Sequence, residues 1–464
     1  MNTTILTSAR LTSVLVAGAC VVLLTHHVGA SEFGVYVIGI TAVSIASSLV
    51  DGGLLAASIR ISSREEVPLG ELTRALFAAR LGLALALGLP MCGILFVALP
   101  SFVGAQWFVV GCGAQVVAAA AVGAGQLPAQ LGAGLRRWAM ADLIGRTMGS
   151  SGLILLALFA PGRAVAYSTL LMATGTAISW LTLWILPRTY VDGKWFRSPP
   201  SRALIIRLFR DSTSLGVALV INTLYFRLDT LLVAALLNSR SVGLYGISYR
   251  LLEIMLLVGT FYQTSMLPAA TAPRSPAEFQ AILTAGWTLL FRFGLPLVVL
   301  CDVLSGPIVR VAGGETYAPA ALSFALLMPA GLVTWINSVS GAGLISARLE
   351  TVALPINISV LVLNLLGNLV LIPTIGIAGA ALMTLVAELI AAVLALSLLR
   401  RRVAVRFVIL GWRRGIYASI AWGIYAAILI ALPMPPEVRL AAGVAPFGIY
   451  ALVLGWTGRR RTVA

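Results

Sequence analysis

About fourteen stretches of roughly twenty apolar residues recur along this 464-residue chain. They lie near 11–29, 34–59, 77–99, 103–124, 139–160, 165–186, 213–237, 241–267, 282–304, 321–346, 352–372, 376–399, 415–432 and 438–456. Each is long enough to cross the ~30 Å hydrocarbon layer as a helix. What lies between them is too short for a separate water-soluble domain. The expected fold class is therefore an all-α polytopic membrane protein. Composition agrees: 10% of residues are charged, against about 25% in a soluble domain. The first stretch has the outline of a leader, with Arg10 ahead of an apolar run and "VGA" ending at Ala30. It is read as the first helix because the internal repeat below uses it.

The net charge of +16 would suggest nucleic acid in a soluble protein. Here its distribution says otherwise, and no nucleic acid is expected as a partner. With the N-terminus inside, the inner loops hold Arg60, Arg64, Arg74, Arg136, Arg137, Arg188, Lys194, Arg197, Arg202, Arg207 and Arg210. Further along they hold Arg274, Arg348, the groups Arg400 to Arg402, Arg406, Arg413 and Arg414, and Arg459 to Arg461. The outer loops hold only Arg163, Arg240, Arg310 and Arg439. That asymmetry predicts a plasma-membrane protein with both termini cytoplasmic. The four cysteines (Cys20, Cys92, Cys112, Cys301) fall singly in apolar stretches. No disulfide framework or metal site is expected from them. The adjacent His26 and His27 read as an interfacial helix end.

Residues 187–211, "PRTYVDGKWFRSPPSRALIIRLFRD", form the longest basic loop. Its end, "SRALIIRLFR", is amphipathic and is expected to lie on the inner leaflet. The loop separates two similar halves. "SEFGVYVIG" opens the second helix and "SVGLYGIS" the eighth, and Gly34 matches Gly243 at an offset of 209 (243 − 34). "GAGL" at Gly132 recurs at Gly341, again 209 later (341 − 132). The expected organisation is a six-helix bundle over 1–187, a basic linker over 188–212, and a second six-helix bundle over 213–400. Two extra helices follow over 401–464. Duplication of this kind is frequent in transporters.

Three segments carry a family resemblance. "ASEFGVYVIGITAVSIASSLVDGGLLAASIR", "RLDTLLVAALLNSRSVGLYGISYRLLE" and "NLLGNLVLIPTIGIAGAALMTLVAE" resemble, in that order, second-, seventh/eighth- and eleventh/twelfth-helix signatures. These belong to polysaccharide flippases of the multidrug/oligosaccharidyl-lipid/polysaccharide exporter superfamily. The resemblance covers residues 1 to about 400. It implies two six-helix bundles around a central cleft that opens alternately to each side. The implied activity turns a lipid-linked oligosaccharide, on a polyprenyl pyrophosphate, from the inner to the outer leaflet. The implied partners are that substrate, membrane lipids, a polysaccharide polymerase and glycosyltransferases. Peptidoglycan-precursor flippases are fourteen-helix relatives without a close sequence match. Drug/cation antiporters are more distant cousins.

Charges inside the apolar stretches mark the candidate site. Arg227 lies ten residues before Leu237 and Arg250 nine after Ser241, so both reach ~15 Å from a shared loop at 1.5 Å per residue. That is mid-membrane, where an arginine facing lipid costs at least ~2.5–3.5 kcal/mol. Arg227, Arg250, Arg292 and Arg146 are the expected substrate-binding residues, since guanidinium forks grip phosphate oxygens bidentately. Arg227 and Asp229 point to different helix faces, whereas Arg250 and Glu253 are spaced to pair. Asp229, Glu253 and Glu388 are candidates for ion coupling or ion pairing, with an arginine the favoured partner for Asp229 and Glu388. Arg80 is expected to snorkel towards the inner surface, and Asp51 to serve a turn with Gly52 and Gly53. Pro90, Pro296, Pro329 and Pro355 interrupt apolar runs and should bend helices.

Two other classes stay open. A membrane enzyme of polysaccharide assembly would want a sizeable polar loop or a carboxylate cluster. The longest outer loop, "SGPIVRVAGGETYAPA", holds one Glu and one Arg. No GxxxxGK[ST] loop is present, so ATP hydrolysis is not built in, and no catalytic residue, cofactor or metal is expected. A drug/cation antiporter would share the fold but should show uncompensated acids.

Overall fold

The computed structural model describes residues 16, 18–64, 67–98, 105–131, 135–185, 199–271, 273 and 275–462. They are helical almost throughout, with no strand among them. The helices are α1 (Gly18–His27), α2 (Ala30–Asp51), α3 (Leu54–Arg64), α4 (Leu69–Leu83), α5 (Leu89–Ala98), α6 (Ala105–Leu131), α7 (Leu135–Phe159) and α8 (Pro161–Ile185). Then come α9 (Arg202–Leu236), α10 (Ser239–Thr271), α11 (Pro276–Val303), α12 (Ser305–Gly313), α13 (Ala321–Ser346), α14 (Glu350–Ile375), α15 (Ile377–Val403), α16 (Trp412–Ala431) and α17 (Pro436–Thr462). Among the described residues, twelve helical segments are long and apolar enough to cross a membrane. The expected fourteen also counted α1, described for ten residues, and α17. The chain divides into two compact units, Met1–Leu231 and Leu232–Ala464.

In the first unit, α6 packs on α2, α4 and α8, and α8 packs on α7. The α7–α8 contact rests on small residues. Side-chain atoms added at Gly145 or Gly175 would run into the opposite helix backbone, the close approach that lipid-buried helices use in place of a hydrophobic drive. The segment built from α2 and α3 turns a corner at Gly52 and Gly53, whose φ angles of +47° and +73° lie where glycine is favoured. The corner rests on α9 backbone to backbone. A Cβ at Gly53 would come within 2.7 Å of the Gly216 nitrogen, and one at Gly216 would meet the Gly52 carbonyl. A turn earlier, Thr223 donates to Ser48 Oγ at 2.8 Å.

Residues 201–210 were expected on the leaflet surface. From Arg202 on they form instead the first turns of α9, a continuous helix of 35 residues. Leu204 and Leu208 are buried against Leu54, Leu72, Leu76 and Leu127. The stripe that suggested a lipid-facing helix has a protein partner in α3, α4 and α6. The rest of the expected linker, 188–198, lies outside the described residues.

In the second unit, α13 packs on α10, α11 and α15, and α15 packs on α14. These are the pairings of the first unit with each helix replaced by its counterpart in the expected repeat. Gly34 and Gly243, which set the repeat, each stand four residues into their helices, α2 and α10 (34 − 30 and 243 − 239). The core is built on Trp287 and Trp335, both fully buried. Their indole N–H groups donate to Ser340 Oγ at 3.3 Å and to the Met255 carbonyl at 2.8 Å. Such polar ends need partners in an apolar core.

Residues 305–320, expected as the longest outer loop, are ordered as α12 and a 3₁₀ turn over Glu315–Ala320. Val309 and Tyr317 are buried there. Apolar residues at helical spacing give this segment a face to bury. The helices run on through Pro296, Pro329 and Pro355. Pro90 instead follows a π turn at Ala84–Gly88, which loosens the backbone where the proline lacks its donor.

A strap over residues 404–411 leads from α15 to α16 and is stitched to α11. Gln280 donates to the Arg406 carbonyl at 2.8 Å and accepts from the Arg406 N–H at 2.7 Å. The Leu410 N–H donates to Thr288 Oγ1 at 3.0 Å, and Phe407 meets Trp287 edge-on at 5.1 Å. The strap ends at Gly411, with φ +59°, where a Cβ would overlap the Arg292 guanidinium.

Candidate functional site

A charge within the membrane must find a partner or a wet surface, so the partners of these charges define what each can do. In the first unit, Arg80 is buried and pairs with Asp51, with relative exposures of 6% and 28%. A Cβ at Gly123 would collide with the Arg80 guanidinium, so α6 leaves room for it. This corrects the expectation that Arg80 snorkels. Asp51 closes α2 at the Gly52 turn as expected and also holds a second helix. Sequence reasoning missed the pair because 29 residues separate its members (80 − 51) and no helical spacing links them.

Arg146 lies on the open side of α7, 64% exposed, with its Nε donating to Asp142 at 2.8 Å. On α9, Arg227 is half-buried and Asp229, at 4% exposure, is buried. In the second unit, Arg250 pairs with Glu253 on the same face of α10, Nη1 to Oε2 at 2.7 Å, each side chain about a quarter exposed. The structure thus brings together the one pair whose spacing predicted it. Arg292 is half-buried on α11, and its Nη2 donates to the Leu410 carbonyl of the strap at 2.5 Å. That bond ties one of the expected substrate arginines to the strap.

Glu388 is buried on α15 at 4% exposure. One of its partners is the amide of Asn337 on α13. Asn337 donates to Glu388 Oε2 at 2.7 Å and to its backbone carbonyl at 3.1 Å. The amide fixes the carboxylate without neutralising it. On α14, Asn368 donates to Asn364 at 3.0 Å, both fully or almost fully buried. Buried asparagines one turn apart in an apolar helix are a readable signal. Asn337, Asn364 and Asn368 carry no charge, so the charge pattern of the sequence does not mark them. Among the described residues no group of three or more His, Cys, Asp or Glu could hold a metal ion.

A family model described as "Polysaccharide biosynthesis protein" matches residues 1–272. The chain belongs to that family. A curated relative, "Probable flippase AglR" of Haloferax volcanii, is 24% identical over 187 residues, 39% of each chain. The chain thus matches about two fifths of the length of that relative. The fold is that of solved membrane transporters. A structure titled "Lipid II flippase MurJ, inward closed conformation" covers 99% of both chains with a TM-score of 0.76 at 13% identity. An inward-facing multidrug resistance MATE family transporter of the MOP superfamily covers 84% of this chain and 94% of its own, with a TM-score of 0.65 at 14% identity. The chain therefore has the transporter architecture expected of it. The match to MurJ extends over α16 and α17, although close sequence likeness to such flippases is absent.

Proposed function

We propose that this protein is a flippase that moves a lipid-linked oligosaccharide, on a polyprenyl pyrophosphate, from the cytoplasmic to the outer leaflet by alternating access. The observation that carries the reading is the family match over residues 1–272. The full-length likeness to the MurJ fold supports it as architecture. In this reading Arg227 and Arg250 are the main phosphate contacts. A guanidinium has five N–H donors, more than one carboxylate oxygen uses, so Arg250 can take a phosphate oxygen while it keeps Glu253. Arg146 and Arg292 add positive charge along the path. Glu388, held by Asn337, and Asp229 couple transport to a proton or cation. A polymerase and glycosyltransferases supply and consume the substrate, and the reading assigns no catalysis to the chain itself.

The direct test is reconstitution in liposomes with a lipid-linked oligosaccharide. The expected result is that protein-containing liposomes expose the oligosaccharide to an external glycan-cleaving enzyme faster than empty ones. Equal rates would overturn the flippase reading. Transport of small cationic dyes instead would favour the antiporter class, which shares the fold.

The arginine asymmetry carries an orientation into this proposal: both termini cytoplasmic and residues 305–320 outside, in the inner membrane. Thr316 is exposed on the 3₁₀ turn, so Thr316→Cys in a cysteine-free background should react with an impermeant thiol reagent in intact cells. Labelling only after permeabilisation would reverse the topology.

A further inference from the structure

We infer that the first unit carries a binding groove for one acyl chain of an anionic phospholipid, at the corner where α2 gives way to α3. The groove has a volume of about 410 Å³, within the range of ligand sites. Leu49, Leu54, Leu83, Phe209, Val217 and Ile221 give it apolar walls. It exists because of two backbone features. The Gly52–Gly53 corner swings α3 away from the line of α2, and the Gly216 contact holds α9 against that corner. The result is a slot between packed helices, with Val217 still half exposed at its mouth.

Length and charge select the occupant. From Phe209 to Ile221 the α9 wall rises twelve residues (221 − 209), or ~18 Å at 1.5 Å per residue. That matches one leaflet of a ~30 Å hydrocarbon core. At the Phe209 end stand three arginines around one carboxylate. Arg207 and Arg210 approach Asp211 at 3.7 and 3.5 Å. Arg60 donates to the Asp211 carbonyl at 2.8 Å. The rim therefore gathers three arginines, on the side whose loops hold the arginines. An apolar slot one leaflet deep under a cationic rim fits a lipid with a single anionic phosphate at the interface. The long polyprenyl tail of the proposed substrate would need more than one leaflet of groove. The site is independent of the transport reading, because lipid binding is read without transport.

The test uses the full-length protein in detergent, stripped of lipid, with phosphatidylglycerol or phosphatidylcholine added back. Phosphatidylglycerol should raise the melting temperature and appear as a bound adduct in native mass spectrometry, while phosphatidylcholine should do neither. Val217→Trp, which fills the mouth, should abolish the rise. The rim change Arg60→Gln with Arg210→Gln gives up one α3–α9 hydrogen bond, keeps the buried leucine contacts between those helices, and should remove the preference for the anionic lipid. Equal shifts with both lipids would overturn the proposal. So would an unchanged phosphatidylglycerol shift in both variants. Displacement of phosphatidylglycerol by a polyprenyl phosphate would assign the groove to the carrier and equally defeat it.

Discussion

Cells that depend on Arg227→Ala should lose about ten- to a hundredfold of their polysaccharide export, with protein levels unchanged. The size follows from a hydrogen-bonded contact to a charged group, worth about 1.5–3 kcal/mol. Arg227 is half-buried in α9, on a stretch where lipid is a costly neighbour. Arg227→Lys should recover only part, since lysine keeps the charge but loses the planar fork. Arg250 needs a different design, because its partner would be left behind. The paired change Arg250→Gln with Glu253→Gln removes both charges of the 2.7 Å contact together. Export should fall in that variant as well. Normal export there would make the pair structural, and normal export in Arg227→Ala at normal protein levels would refute the phosphate clamp. Surface polysaccharide and membrane-fraction immunoblots measure both quantities.

A comparable loss, of stability instead of transport, is expected from Asp51→Asn. Arg80 is 6% exposed and would be left charged inside the helix bundle. Stranding one member of a buried pair costs about 3–5 kcal/mol. The partial exposure of Asp51, 28%, puts the expectation at the lower end, about 3 kcal/mol. Adding Arg80→Gln to Asp51→Asn should return most of it, because the uncompensated charge is gone. The exposed pair Arg310–Glu315, at 43% and 78%, is the control. Glu315→Gln there should change stability by less than about 1 kcal/mol. Detergent melting curves report all three. Equal effects at both pairs would show that burial does not set the value of the first.

The sequence carried the fold well where the signal was a period. Apolar runs of membrane length located the helices. Helical spacing alone was enough for Arg250 and Glu253. It failed where the partner came from a distant part of the chain. Arg80 reads as a snorkelling arginine until α2 brings Asp51 beside it. The stripe in "SRALIIRLFR" reads as a lipid face until α3, α4 and α6 cover Leu204 and Leu208. Asn337 reaches Glu388 from 51 residues away, since a buried carboxylate needs donors and an amide can supply them. An amphipathic pattern states that a face will be covered, not by what.

The stitched strap has a mechanical consequence. α16 packs on α11, and its lead-in is bonded to the same helix at Gln280, Thr288 and Arg292. Tyr450 of α17 adds a bond to the Arg292 carbonyl at 3.1 Å. The last two helices are thus fastened to α11 at several heights, like a spar lashed to a mast. Tyr417, on the open face of α16, is a place for a spectroscopic label that follows the tilt of that mast and leaves the interior untouched.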